Sequence, residues 1–388
     1  MRTPHELALA SRVEAGPERY VFRTADGVVS KDTFRDAELA LLGAVVPDRA
    51  DDVLVVDANY GVVGCVLAHV APGGRTVLAE TSARAARLCE GNLERNDADG
   101  DVALVASLGE LTGPFDVAVY APKPYDPVAV ASERICQALG ALRAGGELYV
   151  AAAKNEGARR YRDVLAEYAR DVERVAKQGD VRVYRAVGPD DEGALDDAGV
   201  EPHAAVEEHT FEASVRGVER SFVTRPGLFS AGHLDDGTRL LLEALPVADG
   251  DRMLDLACGY GAVGCFAAGF ADCAVTMTDD DAVAAAYARR NAERNGVAAE
   301  DVLAADCVAG VRGRTFDLVA SNPPTHAGDG VVDACFRGAR DVLAADGRFA
   351  LVYNDVLDYE DRLEALFETV EVVRAAADFH VTVCRRPT

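Results

Sequence analysis

Short apolar runs alternate with amphipathic stretches along both halves of the chain. Runs of four to six apolar residues are typical of buried strands, and the longer stretches between them have helical spacing. This alternation predicts an α/β fold with a mostly parallel, doubly wound sheet, whose ligands bind beyond the carboxyl ends of the strands. In the second half the pattern predicts a hairpin over 210–215 and 219–223, strands over 252–256, 273–278, 301–304, 316–320 and 348–353, and helices from about 262, over 281–295 and over 331–343.

The two halves of the chain repeat one another at an offset near 200 residues. The order of matching segments is kept throughout, and a period of this length indicates two whole domains. The prediction is a first domain over 1–187, a polar, glycine-rich linker over 188–202 and a second domain over 203–388 that opens with the hairpin. The clearest matches are Tyr60–Cys65 with Tyr260–Cys265, Glu80 with Asp279, Asn92 and Asn96 with Asn291 and Asn295, and Phe115–Val119 with Phe316–Ala320.

A glycine-rich turn follows the strand predicted over 252–256. Gly259, Gly261 and Gly264 allow close approach of the backbone to a ligand, and the helix that follows favours polar or anionic groups at its start. Asp279 lies twenty positions after Gly259 and can bond ribose hydroxyls. Asp255, ahead of the glycines, can engage a cationic amino-acid ligand. The glycine spacing and the acid also describe a dinucleotide site of a dehydrogenase.

The segment Asn322-Pro323-Pro324 ends the strand predicted over 316–320. Each proline fixes its own φ, and a residue before a proline is held in extended geometry. The Asn322 side-chain oxygen and a nearby carbonyl can then face a planar NH2 group and hold its nitrogen for attack on an electrophile. With the glycine loop, this segment resembles S-adenosylmethionine-dependent methyltransferases that modify exocyclic amino groups.

The first copy differs where this chemistry would occur. Ala121-Pro122-Lys123 replaces the asparagine segment, and Asn59 stands at the position of Gly259. The first domain is therefore predicted to have kept the fold and lost the reaction, with a role in substrate binding or in stabilising its partner. The alternative is a second active site of different specificity.

The net charge of −25 comes with only four lysines among 40 basic residues. It is interpreted as adaptation to molar salt in a halophile, where charges are screened within a few ångströms, and alternatively as a surface for a basic protein partner. The nine cysteines are scattered singly, which predicts buried thiols and no metal site. No signal-peptide or membrane-spanning pattern is present, so the sequence predicts a cytoplasmic protein without a membrane partner.

The second half resembles the small-subunit ribosomal RNA guanine-N2 methyltransferases of the RsmC type and their large-subunit relatives. The residues that carry the resemblance are Pro226–Ser230, Leu234–Gly237, the glycine loop, Asp279, and Ser321–Pro324 with His326 and Gly328. That family is similarly built from two tandem Rossmann-like class I methyltransferase domains, the first without catalytic function. The resemblance implies S-adenosylmethionine as cofactor, ribosomal RNA or a ribosomal subunit as partner, and a monomer.

The resemblance also assigns site residues. Asn322, Pro323 and Pro324 are expected to be catalytic, with the Asn322 oxygen and the Pro323 carbonyl accepting from the guanine N2 amine. An aromatic residue follows the two prolines in the family, but here the position is Thr325, so base stacking falls to Phe229 or His326. Three of these residues also have a purely structural interpretation. Asp306 can be a solvated loop residue, Asp235 can be a helix N-cap, and His326 can have no role in binding. The expected cofactor-binding residues are Asp255, Ala257, Gly259, Gly261, Gly264, Asp279, Asp306, Cys307, Asp235 and Gly237, and the expected substrate-binding residues are Thr325, His326 and Phe229.

Other functions remain open at this point. A protein glutamine methyltransferase would use the Asn322 segment on a similar amide, but the tandem duplication and the hairpin argue against it. A DNA adenine-N6 methyltransferase would carry a target-recognition region, and none is evident. A non-catalytic RNA-binding or assembly protein would not need an intact Asn322 and glycine loop, and an NAD-dependent oxidoreductase would not need the Asn322 segment.

Overall fold

The computed structural model of the protein describes residues 5–189, 206–376 and 378–387. The chain divides into two compact units, residues 1–207 and 208–388. Most of the predicted linker, residues 190–202, lies outside the described residues.

The first unit contains a hairpin followed by a seven-stranded sheet with helices between its strands. The strand order in the sheet is β5-β4-β3-β6-β7-β9-β8. Its elements are β1 (His5–Ala10), β2 (Arg19–Thr24), α1 (Asp36–Ala44), β3 (Val53–Val56), α2 (Val62–Val70), β4 (Thr76–Glu80), α3 (Ala83–Arg95), β5 (Asp101–Leu104), β6 (Phe115–Tyr120), α4 (Val128–Gly140), β7 (Leu142–Ala153), α5 (Ala158–Tyr168), β8 (Asp171–Gln178) and β9 (Val181–Val187).

The second unit repeats this arrangement in the same order. The strand order in its sheet is β14-β13-β12-β15-β16-β18-β17. Its elements are β10 (His209–Val215), β11 (Val218–Thr224), α6 (Asp236–Ala244), β12 (Arg252–Leu256), α7 (Ala262–Phe270), β13 (Ala274–Asp279), α8 (Ala282–Arg294), β14 (Asp301–Ala304), β15 (Phe316–Ser321), α9 (Asp329–Val342), β16 (Leu343–Asn354), α10 (Glu360–Glu364), β17 (Phe367–Ala376) and β18 (Phe379–Pro387).

The sheet of the second unit confirms the predicted doubly wound fold. Strands β12 to β16 pair in parallel, and β18 runs antiparallel to both of its neighbours. The chain builds outward from β12 to β14 and then returns to the other side of β12 at β15. Ligands of open α/β sheets bind at such a switch point, beyond the carboxyl ends of the strands. The site is therefore expected between the ends of β12 and β15.

Both faces of the central strands of each sheet are buried. Successive strand residues point to opposite faces, so Met253 and Leu318 belong to one apolar cluster while Leu254 and Val319 belong to another. Burial on both faces explains why the parallel strands read as continuous apolar runs in the sequence rather than as alternating ones. None of the helices in the described ranges has the length and apolar character needed to cross a bilayer.

The largest boundary difference is at β16, which was predicted to begin at residue 348 and begins at Leu343. Leu343 pairs with Phe316 and Arg348 pairs with Leu318, so the intervening residues form a bulge within the ladder. Their sequence, two alanines followed by an aspartate and a glycine, gives no strand pattern, and a bulge leaves residues unpaired. Helix α9 begins at Asp329 rather than 331, after Gly328 with a φ of 99°.

Asn291 on α8 and Asn295 directly after its last residue fasten the hairpin to the second unit. The Asn291 side chain accepts a hydrogen bond from Val223 N at 2.8 Å and donates to Val223 O and Tyr260 O at 3.0 Å. Asn295 makes the same paired bonds with Ser221. In the first unit Asn92 and Asn96 bond to β2 in the same way. The repeated asparagines seen in the sequence therefore satisfy the backbone of the inner hairpin strand.

Asn291→Ala should lower the free energy of unfolding of the second unit by about 2–3 kcal/mol, because it leaves buried backbone groups of Val223 and Tyr260 without partners. Urea denaturation in molar KCl measures the change. Asn354→Ala is the control, since the hydrogen bond that its side chain makes among the described residues is one accepted from Val356 N in an exposed turn. Equal losses in the two variants would contradict the fastening role.

Candidate active site

The loop between β12 and α7 is shaped by residues in the left-handed region. Ala257, Gly259 and Gly261 have φ values of 61°, 56° and 86°. The buried Asp255 carboxylate accepts a hydrogen bond from Gly264 N at 2.8 Å, which fixes the start of α7 against β12. A Cβ at Gly264 would lie 2.5 Å from Met277 Cε, so this glycine is required for close packing. The Asp255 contact seen here is with the loop, and its contact with a ligand stays a prediction.

Gly259 faces open space. Apart from its two neighbours in the chain, no atom of the described residues lies within 4 Å of the position that its Cβ would occupy. Its N–H donates to Asp279 Oδ2 at 2.8 Å, and Asp279 Oδ1 accepts from Asp281 N at 3.0 Å. Each carboxylate oxygen keeps a further lone pair for a ligand donor. The loop and the end of β13 thus form a cradle with an oriented acceptor beside it.

The two carboxyl groups of this cradle have unusual proton affinities. Burial raises the pKa of Asp255 to about 7 and that of Asp279 to about 7. The negative charge of Asp279 also raises the pKa of Asp255. A cationic ligand would favour the ionised forms, since opposite charges lower the pKa of a carboxyl group.

Asn322 lies directly after β15 with its amide held from one side. Its Nδ2 donates to Asp235 Oδ2 at 3.2 Å and to Thr238 Oγ1 at 3.0 Å. An ionised carboxylate only accepts hydrogen bonds, so the NH2 group and not the oxygen must face Asp235. Both amide hydrogens are thereby used, and Oδ1 remains as an acceptor. Ser321 Oγ donates to Leu256 O at 2.7 Å and ties the end of β15 to that of β12.

The residues after Asn322 leave the strand in a tight turn. The carbonyl of the buried Pro323 accepts from Thr325 N at 2.8 Å and retains one lone pair. The Pro324 carbonyl accepts from Ala327 N at 3.0 Å. Thr325 and His326 are exposed, and the Phe229 side chain is 52% exposed. Their predicted contact with a substrate base stays a prediction.

The remaining predicted residues lie on neighbouring elements. Asp235 is the N-cap of α6, since its Oδ2 accepts from Thr238 N at 2.8 Å, and this confirms the structural alternative for that residue. Gly237 is buried beside Phe379. Asp306 and Cys307 are half-buried after β14, and Cys307 Sγ lies 3.5 Å from Cys335 Sγ. Seven of the nine cysteines are buried, and Cys273 and Cys307 are partly exposed. Within the described ranges no cluster of three or more His, Cys, Asp or Glu side chains could hold a metal ion.

Sequence reasoning did not single out Thr238. Its hydroxyl touches Asn322 across 84 positions of chain, and only its place three residues after an N-cap could have drawn attention to it. Ser321 was noted as part of a motif without a role.

The first unit fills the corresponding space with its own side chains. Asn59, with a φ of 60°, stands where the second unit has Gly259. Its amide bonds to both backbone groups of Val29 at 3.1 Å and donates to Glu38 Oε1 at 3.2 Å. Lys123, at the position of Pro324, lies 3.5 Å from the buried carboxylate of Glu80. In the first unit, the Asn59 side chain thus occupies the space that corresponds to the cradle, and Lys123 pairs with the acid at its edge.

An arginine covers the carbonyls of the first unit that correspond to those of Asn322 and Pro323. The buried Arg35 guanidinium donates to Ala121 O at 3.0 Å and to Pro122 O at 2.6 Å. Arg35 stands at the position of Asp235 and pairs with Glu38 at 3.7 Å. These carbonyls are therefore placed to accept from a planar group of N–H donors, and here the chain itself supplies it.

Comparison with known proteins matches both units. The family model described as the methyltransferase small domain matches residues 19–185 and again 219–383. The chain is similar to ribosomal RNA small subunit methyltransferase C of Pseudoalteromonas atlantica, with 30% identity over 70% of this chain and 78% of that protein. It is 29% identical to ribosomal RNA large subunit methyltransferase G of Pseudomonas putida, over 90% of this chain and 91% of that protein.

A solved structure is similar over nearly the whole chain. It is the T. thermophilus 16S rRNA N2 methyltransferase RsmC in complex with AdoMet and guanosine. The TM-score is 0.75 and the sequence identity is 26%, over 94% of this chain and 95% of that one.

Proposed function

The chain belongs to the methyltransferase small domain family and is an S-adenosylmethionine-dependent methyltransferase, and from this premise we propose that its second unit methylates the exocyclic N2 amine of a guanine in ribosomal RNA. The observation that carries the proposal is the Asn322 amide, whose NH2 group is bound by Asp235 and Thr238 so that Oδ1 is left as an acceptor. We propose the small ribosomal subunit as the source of the RNA.

The residues of the cradle fit this cofactor. The open space at Gly259 leaves room for a ligand against the loop, and Asp279 presents acceptors for ribose hydroxyls. The charge of Asp255 would complement the cationic amino-acid part of the cofactor, and Asp306 with Cys307 would meet the adenine. When bound, S-adenosylmethionine supplies an electrophilic methyl group.

The Asn322 segment would hold the amine that attacks this methyl group. Asn322 Oδ1 and the Pro323 carbonyl each accept one of the two amine hydrogens, which fixes the direction of the nitrogen lone pair. Holding reacting groups in this way is worth about 7 kcal/mol or more of the barrier when alignment is good. The contact of Arg35 with Pro122 O in the first unit supports the role of the Pro323 carbonyl, because an N–H donor occupies the equivalent carbonyl there. The base must be unstacked to enter, since an amine inside a helix cannot reach such a segment.

The first unit is proposed to bind no cofactor and to serve substrate binding or the stability of the enzyme. Asn59, Lys123 and Arg35 fill the space and the acceptors that the second unit leaves open.

Methyl transfer from radiolabelled S-adenosylmethionine in molar KCl tests the proposed function. Undermethylated small subunits, large subunits, deproteinised RNA and cellular protein are offered separately, with Asn322→Ala as the blank. Label that digests to N2-methylguanosine in small-subunit RNA is the expected result. Label in protein would indicate a protein amide methyltransferase instead. Label recovered as N6-methyladenosine would show that guanine is not the target.

Cofactor affinity should depend on pH through the cradle. Because Asp255 and Asp279 have pKa values of about 7 in the free protein and a cation favours their ionised forms, binding releases protons below pH 7. Affinity should then rise by up to about tenfold per pH unit per carboxyl group up to about pH 7 and level off above it. Calorimetric titration in buffers of different ionisation enthalpy measures both the affinity and the protons released.

Asp279→Asn should flatten this pH profile, whereas Asp346→Asn, at an exposed position, should leave it unchanged.

The free energy of unfolding should depend on pH with the opposite sign. The folded, cofactor-free protein keeps protons that the unfolded chain has already released, so its free energy of unfolding falls as the pH rises from about 4 to about 7. An affinity that is constant from pH 5.5 to pH 8 would contradict the assignment.

A further inference from the structure

Asn322 is bound by two side chains that belong to the start of α6. Asp235 Oδ2 accepts from Asn322 Nδ2 at 3.2 Å and from Thr238 N at 2.8 Å, so a single oxygen joins the helix cap to the amide. We propose that Asp235 and Thr238 are positioning residues, which fix the orientation of the Asn322 amide and increase the electron density on its Oδ1. This inference rests on the proposed function, in which Oδ1 holds the target amine.

The geometry permits one orientation of the amide. Turned by 180° about its last side-chain bond, Asn322 would place Oδ1 against the Asp235 carboxylate, and the two acceptors would repel each other. The hydrogen bond to Asp235 would be lost, whereas the Thr238 hydroxyl could donate to Oδ1, so the carboxylate is the group that selects the orientation. Thr238 is buried, with 6% of its surface exposed, so water does not readily replace its hydroxyl. The amide is therefore set before any substrate arrives.

The charge of Asp235 adds a second effect. A carboxylate that accepts from the amide NH2 group draws positive character to the nitrogen and negative character to Oδ1, and hydrogen bonds in such chains strengthen one another. Oδ1 should then accept more strongly from an amine whose nitrogen becomes positive as it is methylated. Asp235 acts in this way without touching the substrate.

The first unit offers a natural control within the same chain. It has the same strand order, but Arg35, Glu38 and Ala121 stand at the positions of Asp235, Thr238 and Asn322. Arg35 makes no cap hydrogen bond with its side chain, although α1 begins at the same place as α6. If Asp235 and Thr238 served only to cap a helix, the first unit could have kept them although it lacks the asparagine. The three positions differ together, as expected for groups that work together.

Matched substitutions separate positioning from the cap. Asp235→Ser keeps an N-cap oxygen but is too short to reach Asn322, and Asp235→Asn keeps the reach but removes the charge. Thr238→Val removes the hydroxyl at constant shape, and Thr238→Ser retains it. We expect kcat to fall about 100-fold in Asp235→Ser and about 10-fold in Asp235→Asn and Thr238→Val, with Thr238→Ser within about threefold, because misplacement of a holding group by 1 Å costs about 100-fold. The Kd for S-adenosylmethionine and the melting temperature should stay close to wild type.

A second readout does not depend on catalysis. The chain has eight asparagines, so the side-chain NH2 groups can be observed by NMR after selective 15N labelling, and the Asn322 pair is the one missing in Asn322→Ala. Its protons should be shifted downfield and protected from solvent exchange in wild type and in Thr238→Ser, and should lose both features in Asp235→Ser. This signal persists even if RNA is not the substrate, so failure of the proposed function and failure of the positioning role are distinguishable.

Three results would overturn the positioning role. One is an unchanged kcat in both Asp235→Ser and Thr238→Val. Another is a loss that appears wholly as a weaker Kd for S-adenosylmethionine, which would make these residues cofactor ligands. The third is an Asn322 NH2 signal in wild type that exchanges as freely as that of Asn155, which lies at an exposed position.

Discussion

Asn322→Ala should lower kcat for methyl transfer by at least about 100-fold, comparable with the loss of one preorganised hydrogen-bonding group in other active sites. The substitution removes the Oδ1 acceptor and leaves the Pro323 carbonyl alone to hold the amine. Cofactor binding should be retained, because the cradle of Gly259 and Asp279 makes no hydrogen bond to Asn322. Single-turnover rates with saturating S-adenosylmethionine measure the effect on the chemical step.

The matched control is Asn354→Ala. Asn354 also ends a strand of the same sheet, β16, and its Oδ1 accepts a hydrogen bond from the exposed backbone of Val356. Its replacement should change kcat by less than about twofold, as for most substitutions away from special features. A similar loss in both variants, or no loss in Asn322→Ala, would remove Asn322 from the mechanism.

Gly259→Asn should abolish cofactor binding while the second unit stays folded. The φ of 56° lies in the region that asparagine tolerates best among residues with a Cβ, and the Cβ itself would meet no atom within 4 Å. The amide would then enter the space that the ligand requires, as Asn59 does in the first unit. We expect the Kd for S-adenosylmethionine to rise at least about 100-fold, which corresponds to about 2.7 kcal/mol.

Titration calorimetry with a melting curve tests this expectation. Asn59→Gly is the reciprocal control, and it should leave cofactor affinity and stoichiometry unchanged, because Arg35 and Lys123 still occupy the first unit. A Kd for Gly259→Asn within about threefold of wild type would show that the ligand does not lie over this residue.

Much of the fold was accessible from the sequence because the relevant signals are local or periodic. The duplication, the hairpin and the strands that precede the ligand loops follow from apolar runs and from the order of motifs. The start of β16 was missed because residues of a bulge do not follow the ladder pattern. The N-cap at Asp235 was found as an alternative, since a cap is defined by a few consecutive residues.

The site was less accessible because its contacts join residues far apart in the chain. Asn322 and Thr238 are separated by 84 positions, and Arg35 and Pro122 by 87, so no spacing rule connects them. Asp255 was expected to engage a ligand, but the contact that the structure shows is the one with Gly264 N, which depends on the fold of the loop. The predicted loss of function in the first half rests on missing residues that the sequence shows, whereas the arginine that donates to the Ala121 and Pro122 carbonyls could not be foreseen from it.

The filled cradle of the first unit has a thermodynamic consequence. A ligand that binds only the folded state adds RT ln(1 + [L]/Kd) to the free energy of unfolding, or about 2.7 kcal/mol at a hundredfold excess over Kd. Under the proposed function only the second unit gains this increment, so its free energy of unfolding would vary with the supply of S-adenosylmethionine. The first unit carries Arg35, Asn59 and Lys123 where the second unit is proposed to hold a ligand, so its free energy of unfolding would not vary in this way. When the methyl donor runs short, the second unit would be the one exposed to unfolding and proteolysis.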